Sequence, residues 1–186
     1  MKQNESIVMY VLRLAGTLLL ICAVTAGLLA GVNGITAPII AELNAAATQE
    51  AISAVLPGGF DSEITDYADA SGIVSKVYPG ENGYALEVGP GGFDNTITMM
   101  VGIDNEGKVL GISVVSHTET AGLGAVADAD TPKGIAFREQ FVGTSGSVSV
   151  TKDGGMMDAI TGATITSRAI CVGVNAALDC VAGLLG

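Results

Sequence analysis

Residues 14–32 read LAGTLLLICAVTAGLLAGV, and this run of 19 positions contains no charged side chain. The uncharged stretch continues as far as Ala41. A helix of about 20 predominantly apolar residues is long enough to cross the ~30 Å hydrocarbon core of a bilayer. The run therefore predicts a single transmembrane helix near the amino terminus, and it divides the chain into an anchor and a more polar remainder.

A cleaved signal peptide is the alternative interpretation of this amino-terminal run. The apolar run exceeds the 7–15 residues typical of a signal-peptide core, and Lys2 and Arg13 form only a thin basic region before it. Arg13 stands inside an apolar pattern that begins at Ile7, where its long side chain can reach the lipid headgroups or face another membrane subunit. We therefore predict a retained anchor surrounded by membrane lipid.

Charge on either side of the anchor predicts its orientation. Lys2 and Arg13 stand against Glu5 before Gly34, whereas the chain from Gly34 onward has 6 basic and 18 acidic residues. Because basic residues favour the cytoplasmic side, we expect a single-pass protein of the cell (inner) membrane with a cytoplasmic amino terminus and an extracytoplasmic domain. The acidic domain has too few cations to neutralise phosphates, so we expect no nucleic-acid partner.

Turn-forming residues and the spacing of apolar residues after the anchor indicate short helices and strands. Asn33-Gly34 and Pro38 predict the end of the transmembrane helix, and apolar spacing predicts a new helix over residues 39–56. Residues 104–107 suit a hairpin connection between two strands. The other predicted strands and helices, in chain order, are strands 72–78, 84–88, 95–103, 108–116 and 147–151, and helices 133–141 and 167–184.

This order of elements predicts an α+β fold, with a central antiparallel or mixed sheet and flanking helices. The final helix should bury one face, formed by Ile170, Val174, Ala177, Leu178 and Val181. We divide the chain into a cytoplasmic segment with the anchor (1–35), a connecting helix and loop (36–71), and a folded domain (72–186).

Few residues suggest catalysis or metal binding. The chain has one histidine, His117, and no G-x-S-x-G elbow, P-loop or G-x-G-x-x-G motif. Cys171 and Cys180 are nine positions apart on the predicted last helix, or roughly 13 Å along its axis. Because a disulfide needs Cα atoms within about 7 Å, we interpret both as packing residues. We predict no metal site and no catalytic residue.

Two segments contain polar and glycine residues in a distinctive order. Residues 117–124 read HTETAGLG directly after the predicted strand 108–116, and residues 158–167 read DAITGATITS before the last helix. Taken singly, the first segment is typical of a polar loop. The second is typical of a hydroxyl-rich helix cap, since Ser and Thr oxygens accept bonds from the first amides of a helix.

Together the two segments resemble the FMN-binding domain shared by the RnfG subunit of the Rnf electron-transport complex and the corresponding flavin subunit of the sodium-pumping NADH:quinone reductase. In that family a flavin transferase attaches FMN, through a phosphoester, to the last Thr of a Ser/Thr-Gly-Ala-Thr motif that has Asp three residues before it. The matching residues here are Asp158, followed by Thr161 to Thr164. The family's His-x-Glu-Thr-Pro-Gly-Leu-Gly loop matches residues 117–124 except at Ala121, where Pro is usual.

The resemblance extends over nearly the whole chain and implies a covalent FMN on Thr164, which makes the chain a phosphoprotein. Gly162 and Ala163 should leave that hydroxyl open, and Thr166 is the competing acceptor. In the loop, polar contacts, a face for the flavin ring and close backbone approach are expected. The predicted cofactor-binding residues are His117, Glu119, Thr120, Gly122, Leu123, Gly124, Thr161, Gly162, Ala163, Thr164, Thr166 and Ser167.

The resemblance further implies an electron-carrier subunit of a membrane complex that couples ferredoxin:NAD+ electron transfer to ion translocation. Its partners would be polytopic and iron–sulfur subunits, and the chain would not be catalytic alone. The compact chain favours the Rnf subunit over the flavin subunit of the NADH:quinone reductase, which is one alternative. Another is an autonomous extracytoplasmic flavoprotein reductase, against which the absence of a C-x-x-C-H heme motif counts. A purely structural subunit would lack flavin.

Overall fold

The computed structural model describes the backbone of residues 2–185 and the side chains of residues 9–185. Within these residues the α+β prediction is confirmed, with one antiparallel sheet of four strands and three α-helices. Two short 3-10 turns, Gly124–Ala127 and Thr151–Asp153, lie between the regular elements. In chain order those elements are α1 (Lys2–Val55), β1 (Val74–Gly80), β2 (Gly83–Val88), β3 (Thr98–Asp104), β4 (Val109–Ser116), α2 (Pro132–Glu139) and α3 (Thr164–Leu185).

The predicted break after the anchor is wrong, because helix α1 continues through it. It runs without interruption from Lys2 to Val55, with Pro38 inside it, so residues 39–56 do not start a new helix. A proline removes one amide donor from a helix, and transmembrane helices tolerate this when nearby groups compensate. Pro38 leaves the Gly34 carbonyl without its usual helical donor, yet the helix continues through this position.

The chain separates into two compact units, Met1–Ala46 and Ala47–Gly186. In the first unit, the described apolar side chains from Met9 to Leu43 are exposed on a helix long and apolar enough to cross a membrane, as predicted. Helix α3 is also long and apolar enough to cross a membrane, but more than half of its apolar stretch is buried in the second unit. We therefore interpret α3 as a core helix.

The sheet of the second unit is a meander, with the strands ordered β1-β2-β3-β4 and each pair antiparallel. The predicted strand at residues 147–151 is wrong. Only Val150 bridges to another segment, at Met157. The chain instead turns back at Gly154, whose φ is 86°, and Gly155 N donates to the Val150 carbonyl. The side chain of Asn175 on α3 pairs with both backbone groups of Val148, and the Val150 carbonyl is bonded within the turn, so no ladder extends from this segment.

Strand β3 is buried on both faces. Met99, Val101 and Ile103 pack in the main core, whereas Met100 belongs to a second cluster on the opposite face. Successive side chains of a strand point to opposite faces, so β3 forms the middle of a three-layer arrangement. Helix α3 contributes to the main core, and its predicted face is confirmed as buried, together with the two free cysteines. These residues are Ile170, Cys171, Val174, Ala177, Leu178, Cys180 and Val181.

The carboxyl end of α1 covers the other face of the sheet. Ile52 and Val55 are buried against Met100 and its neighbours. Gly102 permits this contact, because a Cβ atom at that position would lie only 2.1 Å from the Val55 carbonyl oxygen. The approach of helix backbone to strand backbone therefore requires glycine at this position.

We expect Gly102→Ala to lower the free energy of unfolding by about 1–3 kcal/mol, since the added methyl group overpacks against backbone that cannot move away alone. Gly111 is the matched control. It pairs with Gly102 across β3 and β4, and a Cβ there would be 3.8 Å from Val55 Cα. Gly111→Ala should stay within about 0.5 kcal/mol of the wild type. Equal unfolding curves for the two variants in urea would contradict the close approach.

Candidate functional site

Helix α3 begins at Thr164 rather than at Ser167, which places Thr164, Thr166 and Ser167 inside the first helical turn. Gly162 precedes it with a φ of 82°, a conformation that glycine adopts without strain. Ala163 N donates to the Ile160 carbonyl at 2.9 Å and closes the turn. The first amides of a helix lack helical partners and lie at the positive end of its dipole, so this end of α3 favours an anion.

Two of the predicted hydroxyls are already engaged within the protein. Ser167 is fully buried, and its Oγ accepts from Ile160 N and donates to the Ala163 carbonyl, both at 3.0 Å. Thr166 is 2% exposed and donates to Glu119 Oε2 at 2.5 Å. Thr161 is exposed, and Thr164 is partly exposed. Solvent access therefore separates Thr161 and Thr164 from the two residues that follow them.

Glu119 joins three segments of the chain at this site. Its side chain is 8% exposed, and Oε1 accepts from Phe93 N at 2.7 Å while Oε2 accepts from Thr166. Glycine makes room for the carboxylate on both sides. A Cβ at Gly92 or Gly124 would lie 2.3 or 2.4 Å from a Glu119 oxygen. Both carboxylate oxygens thus hold protein groups, and Glu119 positions the loop, the turn at Phe93 and the start of α3.

An open cavity of about 290 Å³ lies between these segments. Phe93, Leu123 and Ile165 are exposed apolar side chains in its lining. Lys152 and Thr164 supply polar groups. Binding sites for cofactors commonly combine apolar walls with a few polar groups, and this cavity suits a flat apolar ring that has an anionic end. Its other lining residues are Glu119, Thr120, Gly124, Gly162, Ala163 and Thr166.

Lys152 reaches the cavity from the 3-10 turn that precedes the motif. Its Nζ lies 3.0 Å from Thr164 Oγ1. The next residue, Asp153, accepts two hydrogen bonds of 2.6 Å from the Arg168 guanidinium. These hydrogen bonds lower the pKa of the Asp153 carboxyl. The charged pair ties the turn to α3 one helical turn beyond Thr164.

Four of the predicted residues lie outside this cavity. Ser167 is in the core, whereas Gly122 and Thr161 line a neighbouring cavity of about 490 Å³ together with Asp158. His117 Nδ1 accepts from Glu119 N at 3.2 Å. The imidazole therefore bonds to the backbone of the loop at Glu119.

Sequence reasoning missed three lining residues, namely Phe93, Lys152 and Ile165. Ile165 adjoins the predicted acceptor, so its position in the motif was an available signal. Phe93 and Lys152 stand 26 and 12 positions from their contacts at Glu119 and Thr164. Only the folded chain brings them to the site.

Comparison with known proteins identifies the two parts of the chain. Residues 92–179 match the family described as FMN-binding domain, and residues 1–55 match the one described as RnfG N-terminal region. The described cavity falls within the first of these matches. The anchor falls within the second.

Three relatives that match along most of their length show the family. One is the subunit designated G of the Na(+)-translocating ferredoxin:NAD(+) oxidoreductase complex of Acetobacterium woodii, which is 34% identical over 190 residues, covering 91% of this chain and 90% of the relative. The subunit of the same designation in the ion-translocating oxidoreductase complex of Methanosarcina acetivorans is 34% identical over 181 residues, covering 91% and 94%. That of Photorhabdus laumondii is 36% identical over 171 residues, covering 83% and 82%. The chain therefore belongs to the RnfG family of ion-translocating oxidoreductase complexes.

Proposed function

We propose that the chain carries electrons within a membrane-bound oxidoreductase complex through an FMN esterified to Thr164. One observation carries the proposal: Thr164 is a partly exposed hydroxyl on a cavity in the FMN-binding domain, with a lysine ammonium 3.0 Å away. The family membership supports the electron-carrier role. The resemblance of the motif to known flavin attachment sites supports the covalent bond.

The residues of the cavity fit FMN. Phe93, Leu123 and Ile165 offer an apolar surface for the isoalloxazine ring, and Thr120 offers a polar group nearby. The first-turn amides of α3 favour the phosphate. When bound, FMN supplies the capacity to accept and release electrons, and the protein supplies binding and orientation.

Accessibility favours Thr164 over the competing acceptors. Thr166 and Ser167 are buried and hydrogen-bonded within the protein, so a transferase would have to open the start of α3 to reach them. Thr161 is exposed but lines the neighbouring cavity with Asp158. Among these four hydroxyls, Thr164 alone combines exposure with the cavity that holds Phe93 and Leu123.

We infer that electrons arrive from and leave to other subunits. The Acetobacterium relative is named for ferredoxin:NAD(+) oxidoreduction coupled to Na(+) translocation, and we propose that this chain serves a complex of the same class, without reacting with ferredoxin or NAD itself. Arg13, in the exposed apolar part of α1, suggests contact with polytopic neighbours. Iron–sulfur subunits are the expected redox partners, and a flavin transferase is needed for maturation.

We expect Thr164→Ala to abolish covalent FMN while leaving the fold intact, since losing a hydroxyl near a helix start costs only about 1 kcal/mol. Flavin fluorescence in a denaturing gel is the measurement. Thr161→Ala is the control, because it removes the other exposed hydroxyl of the motif. The assignment fails if Thr164→Ala retains a fluorescent band, or if Thr161→Ala alone loses it.

We expect Glu119→Ala to lower the free energy of unfolding by about 1.5–3 kcal/mol, because it removes the charged acceptor of Phe93 N and the Thr166 hydroxyl. Glu119→Gln keeps one carbonyl oxygen and should lose less. Glu106 is the control, since its carboxylate pairs with Lys108 at the surface and such pairs contribute little. Glu119→Ala as stable as Glu106→Ala would rule out the positioning role.

We propose that α1 crosses the inner membrane once, with its amino terminus in the cytoplasm and the FMN domain outside it. The basic residues before Gly34 and the acidic excess after it support this orientation. Trypsin added to spheroplasts should therefore digest the domain. Protection of the whole domain, under conditions in which a known external marker is digested and a cytoplasmic one is not, would reverse the topology.

A further inference from the structure

Lys152 is the residue whose position suggests a role that the motif does not record. It lies outside the motif, yet its Nζ is 3.0 Å from Thr164 Oγ1. A lysine ammonium has three donors and no acceptor, so Thr164 Oγ1 is the acceptor in this contact. A phosphorus atom esterified to this oxygen would bring further phosphate oxygens into the same neighbourhood.

The turn that bears Lys152 is fastened to α3. Asp153 forms its two 2.6 Å bonds with Arg168, and Arg168 follows Thr164 by four positions. Residues four apart lie on the same side of a helix, so the Asp153–Arg168 and Lys152–Thr164 contacts run side by side. Thr151 N also donates to the Met157 carbonyl at 2.9 Å. The turn that contains Lys152 is therefore held in place by hydrogen bonds on both sides of this residue.

Charge around the cavity distinguishes Lys152 from the other cations. Arg168 is neutralised by Asp153, whereas no carboxylate among the described residues lies within 4.0 Å of Lys152 Nζ. The remaining cations of the folded domain lie elsewhere. Lys76 pairs with Glu87, Lys108 with Glu106, and Arg138 with Asp130, while Lys133 lines the neighbouring cavity.

We propose that Lys152 holds the phosphate of the flavin ester on Thr164, with its ammonium donating to a non-bridging oxygen. This inference rests on the proposed attachment at Thr164. A phosphodiester keeps one negative charge, and charge-assisted hydrogen bonds are roughly twice as strong as neutral ones. In a domain with a large acidic excess, Lys152 and the first amides of α3 supply the local positive potential. Lys152 is thus a positioning residue for the phosphate end of the flavin.

The test compares Lys152→Gln, Lys152→Arg and Lys133→Gln in the full chain, purified after coexpression with a flavin transferase. Intact mass gives the loaded fraction, and ³¹P NMR of loaded protein reports the surroundings of the phosphate. We expect Lys152→Gln either to lose most of its loading while still folded, or to load with a displaced ³¹P resonance. Lys152→Arg should load, and Lys133→Gln should match the wild type in both measurements.

Other results overturn the proposal. One is a Lys152→Gln variant that loads as fully as the wild type and whose phosphorus resonance matches that of the wild type. Another is a loss of loading in Lys152→Arg that is as large as the loss in Lys152→Gln. A positive charge would then not be the property that loading requires. A displaced resonance in Lys133→Gln would also count against it. A wild-type chain without any bound phosphorus would instead refute the attachment at Thr164.

Discussion

The geometry of the site depends on the hydrogen bonds that the buried carboxylate of Glu119 accepts. It lies in the loop after β4, yet it accepts hydrogen bonds from Phe93 N and from the Thr166 hydroxyl on α3. Burying a charge requires such partners, because desolvation without them is costly. Glycine at positions 92 and 124 leaves room for this approach. One side chain therefore sets the spacing of three segments, and the cavity is the space left between them.

The same contact limits which of the four hydroxyls in residues 161–167 is available for the proposed attachment. Binding to Glu119 removes Thr166 from solvent, and the bonds of Ser167 close the preceding turn. The buried face of α3 packs on the sheet, and this packing fixes the position of the first turn of the helix. Thr164 is left at the helix end that favours anions, beside Lys152 and facing an apolar surface. The fold thus engages Thr166 and Ser167 and leaves Thr164 accessible at the cavity, which supports the proposed attachment there.

Local signals in the sequence were enough to predict the anchor, the four strands of the sheet and the buried face of α3, since each depends on residue spacing within one element. These signals failed where the structure of a segment depends on contacts with distant residues, or on whether a helix continues past a proline. Pro38 does not end α1, and the segment at Val150 bends back instead of joining the sheet. Ser167 resembles a cap in sequence but lies within α3. Phe93 and Lys152 reach the site only through folding.

The central claim is that the redox cofactor of this protein is esterified to Thr164. Fragmentation of the tryptic peptide that follows Lys152 and ends at Arg168 tests it most directly, because this peptide contains Thr161, Thr164, Thr166 and Ser167 together. Protein purified from membranes should yield this peptide with the mass of an esterified FMN, and the fragments should place that mass on Thr164. An unmodified peptide, or a mass placed on Thr161, Thr166 or Ser167, would contradict the account.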